Sequence, residues 1–428
     1  MSPIRLHLFV YQVGFGDCFL LRFVYPGEVH RHVLIDFGSM EMPDGVVAAK
    51  RLLEIAEDIK LRCNGKLQAL VATHRHADHI NGFATRKNGK GAGDIIRSLA
   101  PDIVVQPWTE QPDLPEDASA PIGSSAHAAY QQRLALRNMS EVAGSVLAQL
   151  DGQHHGLSAE LVDRLGFLGR DNVSNLSAVE NLASMGGKQV YAWFGSEDPL
   201  AEVLPGITTR VLGPPTLEQS DAIRSERSSD PEYWIRQRAL MAHDGAAVST
   251  AANSPFPEAE SRRGSQLPLS ARWIAERVRQ ARGEQWLQIV TALDDAMNNT
   301  SLILLFEAGG KKLLFPGDAQ IENWRYALNQ DGIAALLEDV DLYKVGHHGS
   351  LNATPKSLWE GFDKRGPASK ADRLTSVLST KPGRHGHVES DTEVPRRPLV
   401  AALEKDSTLH DTDHLAAGVL YEEVVLEL

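Results

Sequence analysis

Sixteen histidines are spread over the 428 residues. Seven fall in three short runs: His74, His76 and His79; His347 and His348; His385 and His387. The first run, THRHADHINGF, contains H-x-H-x-D-H. In an extended segment residues two apart project to the same side, so His74 and His76 point together. Asp78 and His79 then turn toward a second position. Imidazole nitrogen and carboxylate oxygen are ligands that Zn²⁺ or Mn²⁺ accepts. One or two such ions are the chemistry this spacing suits. A polar loop that merely contains three histidines is the plain alternative.

Each histidine run follows an apolar stretch of strand type. Rigid strand ends can aim loop side chains from distant parts of a chain at one point. Ile4, Leu6, Leu8 and Val10 recur at period two, which predicts a first strand. After the turn-rich VGFGDC, FLLRFVY and HVLIDFG read as two more strands. Residues 46–62 space their apolar groups as a helix does. LQALVAT (67–73) is a short buried strand running into the histidine loop. SLILLFE, GGKK and LLFPGD read as strand, turn and return strand. DLYKVGHHGS and LTSVLST each end a strand in a loop, and GVLYEEVVLEL closes the chain with one or two strands. Residues 109–189 and 217–290 lack this clarity. They read as insertions, the second partly disordered, with a basic amphipathic helix at 270–283.

With these segments in order, the chain resembles the metallo-β-lactamase superfamily. The resemblance implies an α/β chain with a four-layer αββα fold, and so a single domain over 1–428. It implies that His74, His76, Asp78 and His79 form the metal loop. It makes Asp36 a buttress, Asp318 in LLFPGD a carboxylate bridging two metals, and His347 in KVGHHGS the last ligand, in preference to His348. More narrowly, VGFGDC, NNTSLILLF, LLFPGD, KVGHHGS and GRHGHV resemble, in that order, the hydrolase domain of ComEC-type competence proteins. That likeness covers residues 4–108, 190–216 and 295–428. Many superfamily members place a third histidine before the bridging aspartate, where this chain has LDDAMNNTSLIL. The first metal is then left with His74, His76 and Asp318, unless His154 or His155 substitutes.

Such a centre suits hydrolysis. Zn²⁺ lowers the pKa of bound water to about 7, and a metal pair stabilises charge developing on substrate oxygens. Asp78 and Asp318 would hold the catalytic metals, and His387 would protonate a leaving group or bind a phosphate oxygen. Asp17 and Ser350 are candidates for support or substrate contact, with Asn352 beside them. Lys344 reads as a phosphate contact or a solvent-facing strand residue. HDTDH (410–414) reads as a solvated turn. The leading expectation is a metal-dependent phosphodiesterase, acting on a small-molecule or nucleic-acid phosphoester. Hydrolysis of a lactone, thioester or β-lactam is the alternative, and a non-enzymatic metal-stabilised partner is the third.

Composition bounds these readings. Apolar residues make up 42% and charged residues 23%, which rules out a collagenous or wholly disordered chain. A formal charge of −13 argues against broad binding to nucleic acid or anionic membrane. It leaves room for a local contact through Arg262, Arg263, Arg272, Arg277, Arg279 and Arg282. Cys18 and Cys63 are too few for a disulfide framework, so a reducing cytoplasm is expected. Neither a signal-peptide layout nor a membrane-length apolar run is apparent.

Overall fold

The computed structural model describes residues 1–111, 176–220, 297–350, 352–383 and 393–428, with isolated positions between 120 and 170. Most of the two expected insertions, the helix at 270–283, its arginines, and His154, His155, His385 and His387 lie outside the described residues.

Among the described residues thirteen strands form two mixed sheets. The first is built from β1 (Arg5–Tyr11), β2 (Phe19–Tyr25), β3 (Val29–Ile35), β4 (Ala69–Val71), β5 (Ile103–Pro107), β6 (Lys188–Ala192) and β13 (Tyr421–Glu427), in the order β13-β1-β2-β3-β4-β5-β6. The second is built from β7 (Ile207–Gly213), β8 (Ile303–Ala308), β9 (Lys311–Phe315), β10 (Leu342–Lys344), β11 (Thr375–Leu378) and β12 (Thr408–Asp411), in the order β12-β11-β10-β9-β8-β7. Each sheet is antiparallel on one side and turns parallel partway across. The parallel strands are β3 to β6 in the first and β9 to β12 in the second.

Period-two alternation decides which face each side chain takes. Leu6, Leu8 and Val10 of β1 share one apolar cluster with Leu304 and Phe306 of β8 and Leu313 and Phe315 of β9. Phe9 and Tyr11, the intervening β1 residues, join a second cluster with Ile55 and Ile59 of helix α1 (Ala48–Arg62) and Ile96 of α3 (Ala92–Ser98). Leu305 and Leu314 face a third cluster with Trp324 of α5 (Ile321–Leu328), Leu337 of α6 (Ile333–Leu337), Trp359 of α7 (Lys356–Gly361) and Leu403 of α8 (Arg397–Asp406). Helices α2 (Ala77–Ile80) and α4 (Leu176–Ser184) complete the set used below. Truncating Leu304, which is fully buried, to alanine costs about 2–5 kcal/mol by the usual transfer and cavity penalties.

Two expectations change here. HDTDH is a solvated turn only in its last part: β12 contributes its first two residues to the second sheet and Thr412 is buried, while Asp413 and His414 are exposed in a 3-10 turn. Burial pushes the Asp411 carboxyl up to about 6. Lys344, at the end of β10, does not face solvent but is 1% exposed. Among the described residues no helix is long and apolar enough to cross a membrane.

Candidate metal centre

The carboxyl ends of parallel strands are where open α/β sheets place ligands, and here those ends converge. Asp36 follows β3, Thr73 and His74 follow β4, Asp318 follows β9, His347 and His348 follow β10, and Ser379 follows β11. The two sheets touch at this point, where Leu302 N–H donates to Thr73 O at 3.0 Å. A Cβ on Gly317 would sit 2.9 Å from Thr73 Cβ, and its φ of +55° is one that glycine adopts readily.

Loop 12–18 is folded over the first histidine run. Asp17 N–H donates to Asp78 O at 3.0 Å, and Gly38 N–H to Asp17 O at 3.0 Å. A Cβ on Gly38 would lie 2.3 Å from the Asp78 carbonyl carbon, so only glycine lets these backbones stack. The Phe15 ring lies 4.5 Å from that of His348.

Nearly every ligand candidate is buried. His74, His76, Asp78, His79, Asp318 and His348 are each at most 2% exposed. Two sets of their ligand atoms lie within 4.8 Å of one another: His74, His76 and Asp78; and Asp78, His79, Asp318 and His348. Asp78 is common to both sets, whereas the resemblance implies Asp318 as the bridge. His348 belongs to the second set, where His347 was expected. The His347 side chain is at the rim, 16% exposed, with Nε2 3.9 Å from Asp318 Oδ2.

Hydrogen bonds from behind fix the imidazoles. Asp36 accepts from Thr73 N–H and Thr73 Oγ1–H, both at 2.7 Å, and its Oδ2 lies 2.8 Å from His79 Nδ1. A carboxylate only accepts here, so His79 Nδ1 carries the proton and Nε2 faces Asp318 Oδ2 at 3.0 Å. Since Thr73 Oγ1 gives its proton to Asp36, it must accept from His74 Nδ1 at 3.3 Å. His74 Nε2 is then a buried lone pair without a hydrogen-bond partner. His348 Nδ1 donates to Ser379 O at 3.0 Å, which turns Nε2 toward Asp78 Oδ2 at 2.8 Å. Hydrogen bonds of this kind, made by the ring nitrogen that does not face the metal, orient metal-binding histidines.

This arrangement carries backbone strain. Among the described residues six non-glycines have positive φ, and three of them are Asp36 (54°), His347 (44°) and His348 (51°). Left-handed backbone at a side-chain-bearing residue costs on the order of 1–2 kcal/mol.

The charges are strongly interdependent. Burial opposes charge on His79, but Asp318, Asp78 and Asp36 outweigh it and hold its pKa well above the usual histidine range. Burial likewise opposes charge on His348, and Asp318, Asp17 and Asp78 outweigh it. The Asp318 carboxyl, despite burial, is held well below its usual value by His79, His348 and Lys344. Asp17 goes the other way: burial raises its pKa in spite of Lys344, His348 and His79. His74 is driven well below the usual range by burial, then by His79 and His76.

The residues fit a divalent cation. Buried His74 Nε2 lacks a hydrogen-bond partner, His79 Nε2 and Asp318 Oδ2 face each other at 3.0 Å, and all three residues belong to the two sets. Nitrogen with carboxylate oxygen is a donor set that suits Zn²⁺ or Mn²⁺. Ser350 donates its backbone N–H to His347 O at 2.8 Å. Asn352 is exposed.

Sequence spacing missed two contributors and did not give a third its place. Thr73 immediately precedes the H-x-H run and ties Asp36 to His74. The Ser379 carbonyl is a backbone group, which side-chain spacing does not reveal. Lys344 was detectable as a charge inside the apolar run DLYKVG. No protein-family model and no curated protein matches this chain.

Proposed function

We propose that the chain is a metal-dependent hydrolase of phosphodiesters with a metallo-β-lactamase-like αββα fold. The observation that carries this reading is the pair of buried histidine–aspartate sets sharing Asp78 at the carboxyl ends of the parallel strands. The three apolar clusters support the layered architecture. The preference for phosphodiesters rests on the ComEC-like order of motifs. His74 and His76 would hold one divalent ion and His79, Asp318 and His348 another, with Asp78 serving both. Such ions supply an activated water and positive charge against the developing negative oxygens.

This chain's own residues do the rest. Asp36 and Thr73 hold the His79 and His74 rings, and the Ser379 carbonyl holds His348. His347, at the rim, is placed to meet a substrate oxygen. His387 remains the expected proton donor to the leaving group.

Purified protein should contain Zn²⁺ or Mn²⁺ and hydrolyse bis(p-nitrophenyl) phosphate, with chelation abolishing turnover. His76→Ala should lower that rate about 10²-fold or more, in line with loss of charge stabilisation at a reacting centre. Parallel assays on a lactone, a thioester and nitrocefin separate the alternative substrates. Metal without turnover of any ester would point to a binding protein. Absence of transition metal, or an unchanged rate in His76→Ala, would sink the hydrolase reading.

A further inference from the structure

Lys344 puts a positive charge inside this acidic centre. Its ammonium pairs with the Asp17 carboxylate and reaches Gly317 O at 3.2 Å and Asp318 Oδ1 at 3.5 Å. An ammonium has three N–H donors, and these three oxygens match that number. The two oxygens of Asp318 are thereby divided. Oδ1 faces Lys344, while Oδ2 faces His79 Nε2 at 3.0 Å and His348 Nε2 at 3.5 Å. Asp17, Asp36 and His79 form a third buried set able to hold a cation. Of that set, Asp17 is already paired with the ammonium carried by β10. A buried ammonium is costly unless paired and fully hydrogen-bonded, which argues that this contact is kept for a purpose.

We infer that Lys344 is a positioning residue for the metal centre: by holding Asp318 Oδ1 and Asp17, it turns Asp318 Oδ2 alone toward the metal. The inference rests on the metal-centre reading above. The role differs from a plain structural ion pair, because it must change how a metal is held and not only how stable the chain is.

A charge-conserving double variant tests it. Asp17→Asn with Lys344→Met removes one negative and one positive charge, so the net charge near the metal is unchanged. Removing both partners also leaves no buried charge unpaired at these two positions. Loss of an outer-shell partner typically weakens metal binding 10–100-fold. The folded double variant should therefore bind Zn²⁺ at least tenfold more weakly than wild type. Its Co²⁺-substituted form should show an altered d–d absorption spectrum. Folding is checked by near-ultraviolet circular dichroism. If the methionine variant does not fold, Asp17→Asn with Lys344→Gln is read the same way, with a loss of threefold or more expected. A folded variant with Zn²⁺ affinity within twofold of wild type and an unchanged Co²⁺ spectrum would overturn the role of Lys344 alone. A wild-type protein that binds neither ion would overturn the metal-centre reading and this inference with it.

Discussion

The two ligand sets that share Asp78 are built unlike one another. His74 and His76 supply two imidazoles, and Asp78 is the only carboxylate among them. The second set has two carboxylates, Asp78 and Asp318, with Asp36 directly behind His79 and Asp17 near His348. A divalent ion in a partly buried site is attracted in proportion to the negative charge of its donors. The second set should fill first and bind more tightly; the first should complete the centre at higher metal concentration.

Asp78→Asn attacks both sets at once. Metal stoichiometry should fall toward zero, and phosphodiesterase activity by about 10³-fold or more, since an ion and its charge stabilisation are lost together. Metal analysis and initial rates would show it; an ion retained at full affinity would mean that Asp78 is not shared. Asp36→Asn keeps the shape but weakens the support of His79 Nδ1. Metal affinity should drop about 10–100-fold, chiefly in the tighter step, as measured by chelator competition. His348→Ala against His347→Ala separates neighbours. The first should weaken the tight step at least tenfold more than the second, and the reverse order would restore His347 as the ligand.

The smallest effect lies outside both sets. Burial drives His32 down to about 4, so the folded state keeps it neutral while the unfolded chain protonates near 6.5. Between those values the unfolded state binds more protons, so stability is lost as pH falls from about 6.5 to 4. His32→Leu should remove about 1 kcal/mol of the loss between pH 8 and 5.5 on that linkage. Metal-free samples followed by urea denaturation at the two pH values would measure it. An equal acid loss in the variant would assign the sensitivity to another histidine whose pKa is lowered by burial, such as His74.

Much of this was legible from spacing. Period-two spacing marks β1, the near-continuous apolar runs of β2, β8 and β9 mark strands buried on both faces, and H-x-H-x-D-H marks the loop. Asp36 and Asp318 stand out through the resemblance to metallo-β-lactamase motifs. What was not legible depends on backbone angles and on partners far away in sequence. His347 and His348 are the same residue type, and only two successive left-handed conformations bring the second one inward. Lys344 reads as a strand charge until Asp17, 327 positions earlier, is seen beside it. β12 is short and polar, and it is a strand because Thr375–Leu378 offers a parallel partner.

The most direct test is a Zn²⁺ titration of metal-free protein against a chromophoric chelator, with wild type, His76→Ala and His348→Ala side by side. Two ions per chain should bind in steps at least tenfold apart, with the tight step lost in His348→Ala and the weak one in His76→Ala. No bound ion, or a tight step that survives His348→Ala and vanishes in His76→Ala, would contradict it.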